Sequence, residues 1–159
     1  MSAPPPMPDL PPPPSGRFAG GVHYFPVHIY FEDTDTGGVV YHANYLRYME
    51  RARSDMLRLV GIDQRAALEG GEGVYAVTRA ALDYRAPARL DDDLLVISRI
   101  SAVSGATVSI AQDIVRGSTR LTEGVVTVAF LSPQGRPKRQ PRPWAALFTR
   151  IAQGEEIHP

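Results

Sequence analysis

Three acidic side chains, Glu32, Asp33 and Asp35, crowd into a stretch that runs straight into Gly37 and Gly38. Carboxylates held close together, or buried, can be tuned for acid–base or nucleophilic work, so one of the three is a candidate catalytic group. Beyond the glycines lie Tyr41, His42 and Asn44, where a helical pattern begins. A helix entrance presents backbone N–H groups that have no partner within the helix, and such donors can stabilise the oxyanion of a carbonyl under attack. A carboxylate beside a helix N-terminus is therefore a minimal acyl-transfer site. Aspartates next to glycines also make turns by bonding their own backbone, and on spacing alone that plainer role for Asp33 and Asp35 is favoured.

Other chemistries can be screened on the same residues. Asp33 and Asp35 followed by glycine suggest a calcium loop, but Asn44 stands where the twelfth-position glutamate belongs. The pattern also suits a magnesium phosphatase with an aspartate nucleophile, Asp91, Asp92 and Asp93 supplying further ligands. That chemistry normally sits on an alternating α/β fold, for which this chain is too short and too rich in successive strands. No GxSxG elbow occurs, and His23, His28, His42 and His158 lack zinc-site spacing. Without cysteine there is no thiolate nucleophile, disulfide or cysteine-ligated zinc. No metal or cofactor is expected.

These residues need elements to position them. Alternation predicts a first strand over residues 27–32, then the glycine turn. Tyr45, Leu46, Met49, Ala52, Met56, Leu57 and Val60 recur at helical spacing, which predicts a helix over residues 44–60 with Asn44 as its N-cap and Gly61 as its stop. A short helix is expected within residues 62–70, and strands over residues 74–84, 94–103, 107–115 and 125–131. Short turns between successive strands imply an antiparallel meander. The outline is α+β: a sheet whose apolar face must be covered by the one long amphipathic helix.

With 159 residues the chain fits one domain, expected over residues 21–150. Residues 1–20 are so rich in proline that a disordered tail is expected, with docking to a proline-binding partner the sharper alternative. Residues 151–159 are expected to form a C-terminal tail. Seventeen basic and seventeen acidic residues balance, which argues against general affinity for nucleic acid. No apolar run is long enough to span a membrane, the N-terminus lacks the pattern of a secretory signal, and a cytoplasmic location is expected. The run containing Arg136, Lys138, Arg139 and Arg142 is either a solvated tail or a phosphate-binding strip.

Three stretches carry a resemblance: YFEDTDTGGVVYHA from Tyr30, YMERARSDM from Tyr48, and YRAPARLDD from Tyr84. With the strand order they cover roughly residues 24–145, and the sequence resembles the Tol–Pal-associated (YbgC-type) acyl-CoA thioesterases of the 4-hydroxybenzoyl-CoA thioesterase family. The resemblance implies a hotdog fold, an antiparallel sheet wrapped around the central helix, assembled as a homodimer or homotetramer with active sites at subunit interfaces. It implies acyl-CoA hydrolysis, for short or medium chains, with Asp35 as nucleophile or general base. The backbone N–H near His42 would polarise the thioester carbonyl. Gly38, Val39, Tyr41 and Asn44 would line the substrate site. Relatives of the hydroxybenzoyl type carry arginines at the turn that here reads Ser104, Gly105, Ala106, so Lys138 and Arg139 become the candidates for the CoA nucleotide. Glu50 is the reserve carboxylate, otherwise a helix-surface ion-pair partner of Arg51 and Arg53. The alternative function is a non-catalytic module that holds acyl carriers or envelope-complex partners.

Overall fold

A computed structural model describes residue 1 and residues 3–158; Ser2 and Pro159, at the outer ends of the two expected tails, lie outside it. Six strands form one antiparallel sheet: β1 (Arg17–Ala19), β2 (Val22–His28), β3 (Val74–Tyr84), β4 (Asp93–Val103), β5 (Thr107–Arg116) and β6 (Thr119–Leu131), in the order β1-β2-β4-β5-β6-β3. The long helix α1 (Asn44–Leu59) lies across the sheet, followed by α2 (Gln64–Glu69), and α3 (Arg142–Ala152) closes the far end. This is the α+β hotdog arrangement.

The amphipathic face of α1 explains the packing. Tyr45, Tyr48, Met49, Ala52 and Met56 recur at helical spacing and are all 3% exposed or less. Around them the sheet curves, aided by register shifts in the β3–β6, β4–β5 and β5–β6 pairings, where an extra residue bends a strand. The core has two clusters. Tyr45, Tyr48, Met49 and Ala52 anchor one, and Met56, Leu57, Phe148 and Ile151 anchor the other. A buried polar chain lies among them: Arg53 Nη1 donates to Gln112 Oε1 (2.8 Å), and Gln112 Nε2 donates to Ser98 Oγ (2.9 Å) and to the Met49 carbonyl (3.1 Å). Arg53 also bonds Glu50 at the helix surface.

Several elements differ from the sequence pattern. The first long strand runs over Val22–His28, so only Val27 and His28 of the expected strand belong to it, and a 3-10 turn (Phe31–Asp33) takes that stretch's last two positions. Proline hid the register. Pro26 pairs with Leu95 of β4 but lies past the end of β1, which reaches only Tyr24, so its missing N–H leaves no gap in that ladder. β1 falls inside the proline-rich segment expected to be a tail, and α3 lies mostly over residues for which the sequence pattern predicts no element. The meander holds only for β4, β5 and β6. β3 sits on the outer edge of β6, and residues 85–92 carry the chain across the end of the sheet from β3 to β4, bonding Leu121 of β6 at one end and Ile29 at the other. At the start of α1 the cap residue is Ala43, with no side-chain cap; Asn44 is already inside the helix.

Candidate active site

The candidate residues lie on a tight loop between β2 and α1. Thr34 bridges Val40, the Asp35 N–H donates to the Val39 carbonyl (2.9 Å), and the Gly38 N–H donates to the Asp35 carbonyl (3.0 Å). Gly38 takes φ +75°, a left-handed conformation that costs glycine little and other residues more. The three crowded acids part company here. Asp33 turns inward, 8% exposed, and its carboxylate accepts the Tyr30 N–H (2.8 Å). Asp35 and Glu32 face solvent. One Asp35 oxygen accepts the Gly37 N–H (2.8 Å), and the other has no hydrogen-bond partner among the described residues. The turn reading and the catalytic reading thus divide between neighbours: Asp33 is built into the turn, whereas Asp35 is anchored through one oxygen and open at the other.

The helix entrance stands directly after this loop. The Tyr41 N–H donates to the Asp33 carbonyl and the Asn44 N–H to the Tyr41 carbonyl (both 2.9 Å), while the intervening His42 N–H has no partner among the described residues. Asn44 is 7% exposed, and its amide donates to the Asp33 carbonyl (2.9 Å), tying turn to helix instead of capping the helix or facing solvent. An aromatic corner surrounds the entrance. The His42 ring lies edge-on to Tyr41 (4.6 Å) and Tyr84 (6.3 Å), and Tyr84 donates its hydroxyl to the His42 carbonyl (2.9 Å). Beneath it, Tyr45 donates no bond outward but accepts the Ala88 N–H (3.0 Å). The Tyr48 hydroxyl is buried without a well-formed hydrogen bond; burial first, and the Asp33 carboxylate second, push its pKa up. Sequence spacing missed Tyr84 as a member of this corner, because it arrives from a strand 42 residues beyond His42.

Asp35, Gly38, Val39, Tyr41, His42 and Asn44 are therefore gathered in one place, whereas Lys138 and Arg139 are not. Tyr84 pairs with Thr122, while the Lys138 N–H reaches Phe130 eight residues further along β6. At about 3.4 Å per residue that is about 27 Å of sheet. Lys138 Nζ also donates to the Glu72 carbonyl (2.5 Å). Arg139 lies against the turn at Gly105, where an added Cβ would stand 3.5 Å from its guanidinium. His28 sits at the surface beside Asp93 (2.6 Å) and Asp91 (3.4 Å). Among the described residues, no three His, Asp or Glu side chains converge as a metal site.

The sequence profile of the thioesterase superfamily matches residues 37–123, more than half of the chain. The chain belongs to the thioesterase superfamily. Among curated relatives, the acyl-CoA thioesterase YbgC of Haemophilus influenzae is 45% identical over 128 residues, covering 80% of this chain and 94% of its own. The acyl-CoA thioester hydrolase YbgC of Escherichia coli is 40% identical over 126 residues, covering 78% and 93%. The crystal structure of a probable thioesterase from Bartonella henselae superposes with a TM-score of 0.72 at 35% identity, over 76% of this chain and 99% of that one. A DHNA-CoA thioesterase from Staphylococcus aureus superposes with a TM-score of 0.77 at 19% identity, over 86% and 99%, a likeness of fold alone. The matched segment begins at Gly37, within the glycine turn, and takes in the helix entrance, Glu50 and Tyr84.

Proposed function

We propose that the chain hydrolyses acyl-CoA thioesters, with Asp35 as the catalytic carboxylate and the His42 N–H as the oxyanion donor. The observation that carries this reading is the pairing of a half-anchored, solvent-facing Asp35 with an unpartnered N–H at the entrance of an uncapped helix. A thioester carbonyl is weakly resonance-stabilised and its thiolate leaves readily, so a carboxylate and a good oxyanion site suffice. As nucleophile, the free Asp35 oxygen attacks the acyl carbon. The C–S bond breaks, the CoA thiolate takes a proton from water, and a second water hydrolyses the acyl-aspartate anhydride. As general base, Asp35 removes a proton from water as that water attacks the same carbon. The Gly37 N–H holds the carboxylate in either case. The acyl-CoA names of the relatives at 40–45% identity support CoA as the leaving group.

The proposal includes a second copy of the chain. β3 is an eleven-residue strand paired, among the described residues, only with β6, and its outer edge leaves Val77 50% and Tyr84 49% exposed. A long unprotected edge is a template for pairing with another strand. A two-fold axis through the middle of β3 lays the Tyr84 end of one copy beside the Val74 end of the other. Lys138 and Arg139 then serve as nucleotide contacts only from the partner copy. Cytoplasmic residence, suggested by the cysteine-free composition, belongs to the same proposal.

The test is CoA release from a panel of acyl-CoAs in the presence of chelator, comparing wild type with Asp35→Asn. Release by the wild type that vanishes in the variant supports the assignment. Undiminished release by Asp35→Asn removes Asp35 from the mechanism. No release from any substrate moves the chain to the acyl-carrier or envelope-partner binding reading.

A further inference from the structure

Away from the aromatic corner, a cavity lies between the C-terminal half of α1 and the sheet. Its rim is polar: Glu50 and Ser54 are exposed there, with Arg53 bonded to Glu50. Its depths are apolar, with Leu57, Val108 and Ile110 all at most 9% exposed and Phe148 2% exposed. Phe148 comes from α3, the helix that the sequence pattern does not predict. Its ring lies 6.2 Å from that of Tyr75, whose hydroxyl donates to Gln140 (2.7 Å), and Gln140 in turn donates to the Ser104 carbonyl (2.7 Å). A hydrogen-bonded chain thus holds Tyr75 in place against the Phe148 ring.

We propose that this cavity takes the acyl chain of the thioester and that Phe148 is its floor, setting the longest chain accepted. The inference rests on the acyl-CoA reading above and deepens it. A polar rim over an apolar blind pocket suits a molecule with a polar head and an aliphatic tail. The interior offers about 60 Å³ to water-sized groups. So small a volume suits a short acyl chain over a long one. Within one copy the rim at Glu50 lies seven residues beyond Ala43, about 10 Å along the helix from its entrance. Across the paired β3 edges the relation differs, because Val77, which lines the cavity, falls opposite the other copy's Ala81, three residues from its Tyr84. One copy's cavity then receives the chain whose carbonyl is held at the other copy's His42.

The experiment is a kcat/KM series over saturated acyl-CoAs from acetyl to palmitoyl for the wild-type oligomer, Phe148→Ala, Phe148→Leu and Val128→Phe, each checked by thermal melt. The wild type should peak at short chains. Phe148→Ala should move the peak at least two carbons longer, with about a tenfold relative gain for the longer chains. Phe148→Leu should move it in the same direction by less, and it keeps the test alive if the alanine variant does not fold. Val128→Phe, which fills the cavity from β6, should move the peak to acetyl-CoA. An unchanged ranking in folded, active variants overturns the role of Phe148 and leaves the thioesterase reading standing. No CoA release by the wild type overturns both.

Discussion

Asp33 and Asp35 sit two positions apart and are chemically identical, yet their surroundings divide the labour. Asp33 is buried, takes the Tyr30 N–H on its carboxylate, and offers its carbonyl to Tyr41 and Asn44. Removing that side chain orphans the part-buried Tyr30 N–H, so Asp33→Ala should cost about 1 kcal/mol in denaturant unfolding and lower activity with it. Asp35 is exposed and holds nothing but its own turn. Asp35→Asn should lower kcat by about 10²–10⁴-fold, the range of a lost acid–base group, with unfolding changed by no more than about 0.5 kcal/mol. Equal stability losses in both variants would contradict this division. Glu50 is exposed and bonded to Arg53, so Glu50→Gln should reduce turnover far less than Asp35→Asn in the same assay.

At the level of elements, the end of the proline-rich segment is fastened to α1. Asp55 accepts the Gly16 N–H (2.9 Å), the Ser15 hydroxyl (3.1 Å), Arg58 (2.8 Å) and fully buried His23 (2.8 Å). Gly16 is required by close approach: a Cβ there would stand 2.3 Å from the Tyr24 carbonyl oxygen and 2.7 Å from His23 Nε2. Gly16→Ala should therefore destabilise the fold by about 1–3 kcal/mol, measured by chemical denaturation. The same cluster makes stability depend on pH. Burial lowers the His23 pKa more than Asp55 raises it, and His23 Nδ1 is buried without a partner among the described residues. The unfolded chain therefore binds the proton more readily, so this contribution is intact above about pH 6.5 and declines as pH falls toward the folded-state value. Burial by itself would raise the Asp55 pKa, but the bonds from Arg58, His23, Gly16 and Ser15 outweigh it and hold it low. Its contribution persists to lower pH and is lost as pH drops through that depressed value. The melting temperature should fall from pH 7 to pH 5, and His23→Gln should flatten that fall. An equally steep fall in the variant would remove His23 as the cause.

For the whole molecule, the open question is what covers the outer edge of β3. Thr78 stands at the register shift between Val77 and Arg79, where the β3–β6 ladder skips a residue. Proline is tolerated at such bulges, so Thr78→Pro should leave the fold intact while blocking a strand from pairing on the outer side. Sedimentation should show the wild type as a dimer or larger and Thr78→Pro as a monomer, with CoA release reduced in parallel. A variant that stays dimeric and fully active would place the interface elsewhere.

The local features of this protein were readable in its order of residues. The glycine turn, the 3.6-residue periodicity of α1 and the alternation of β4 and β5 each depend on neighbours within a few positions, and so does the FEDTDTGGVVYHA signature around Asp35. Long-range features were not. Proline obscured β1 and β2, whose register is set by pairing with distant β4. The move of β3 to the outer edge depends on which partners it finds, and short turns say nothing about that. The meeting of His23 with Asp55 joins residues 32 apart, and that of Tyr84 with His42 joins residues 42 apart. Lys138 and Arg139 have the right chemistry for phosphate but stand about 27 Å along the sheet from the aromatic corner, a separation set by strand length and invisible to spacing. The identity of the acid pair belonged to the sequence. Which acid turns inward, and which surfaces close the cavity, were decided only when the chain packed, because burial and hydrogen-bond partners are properties of the assembled interior.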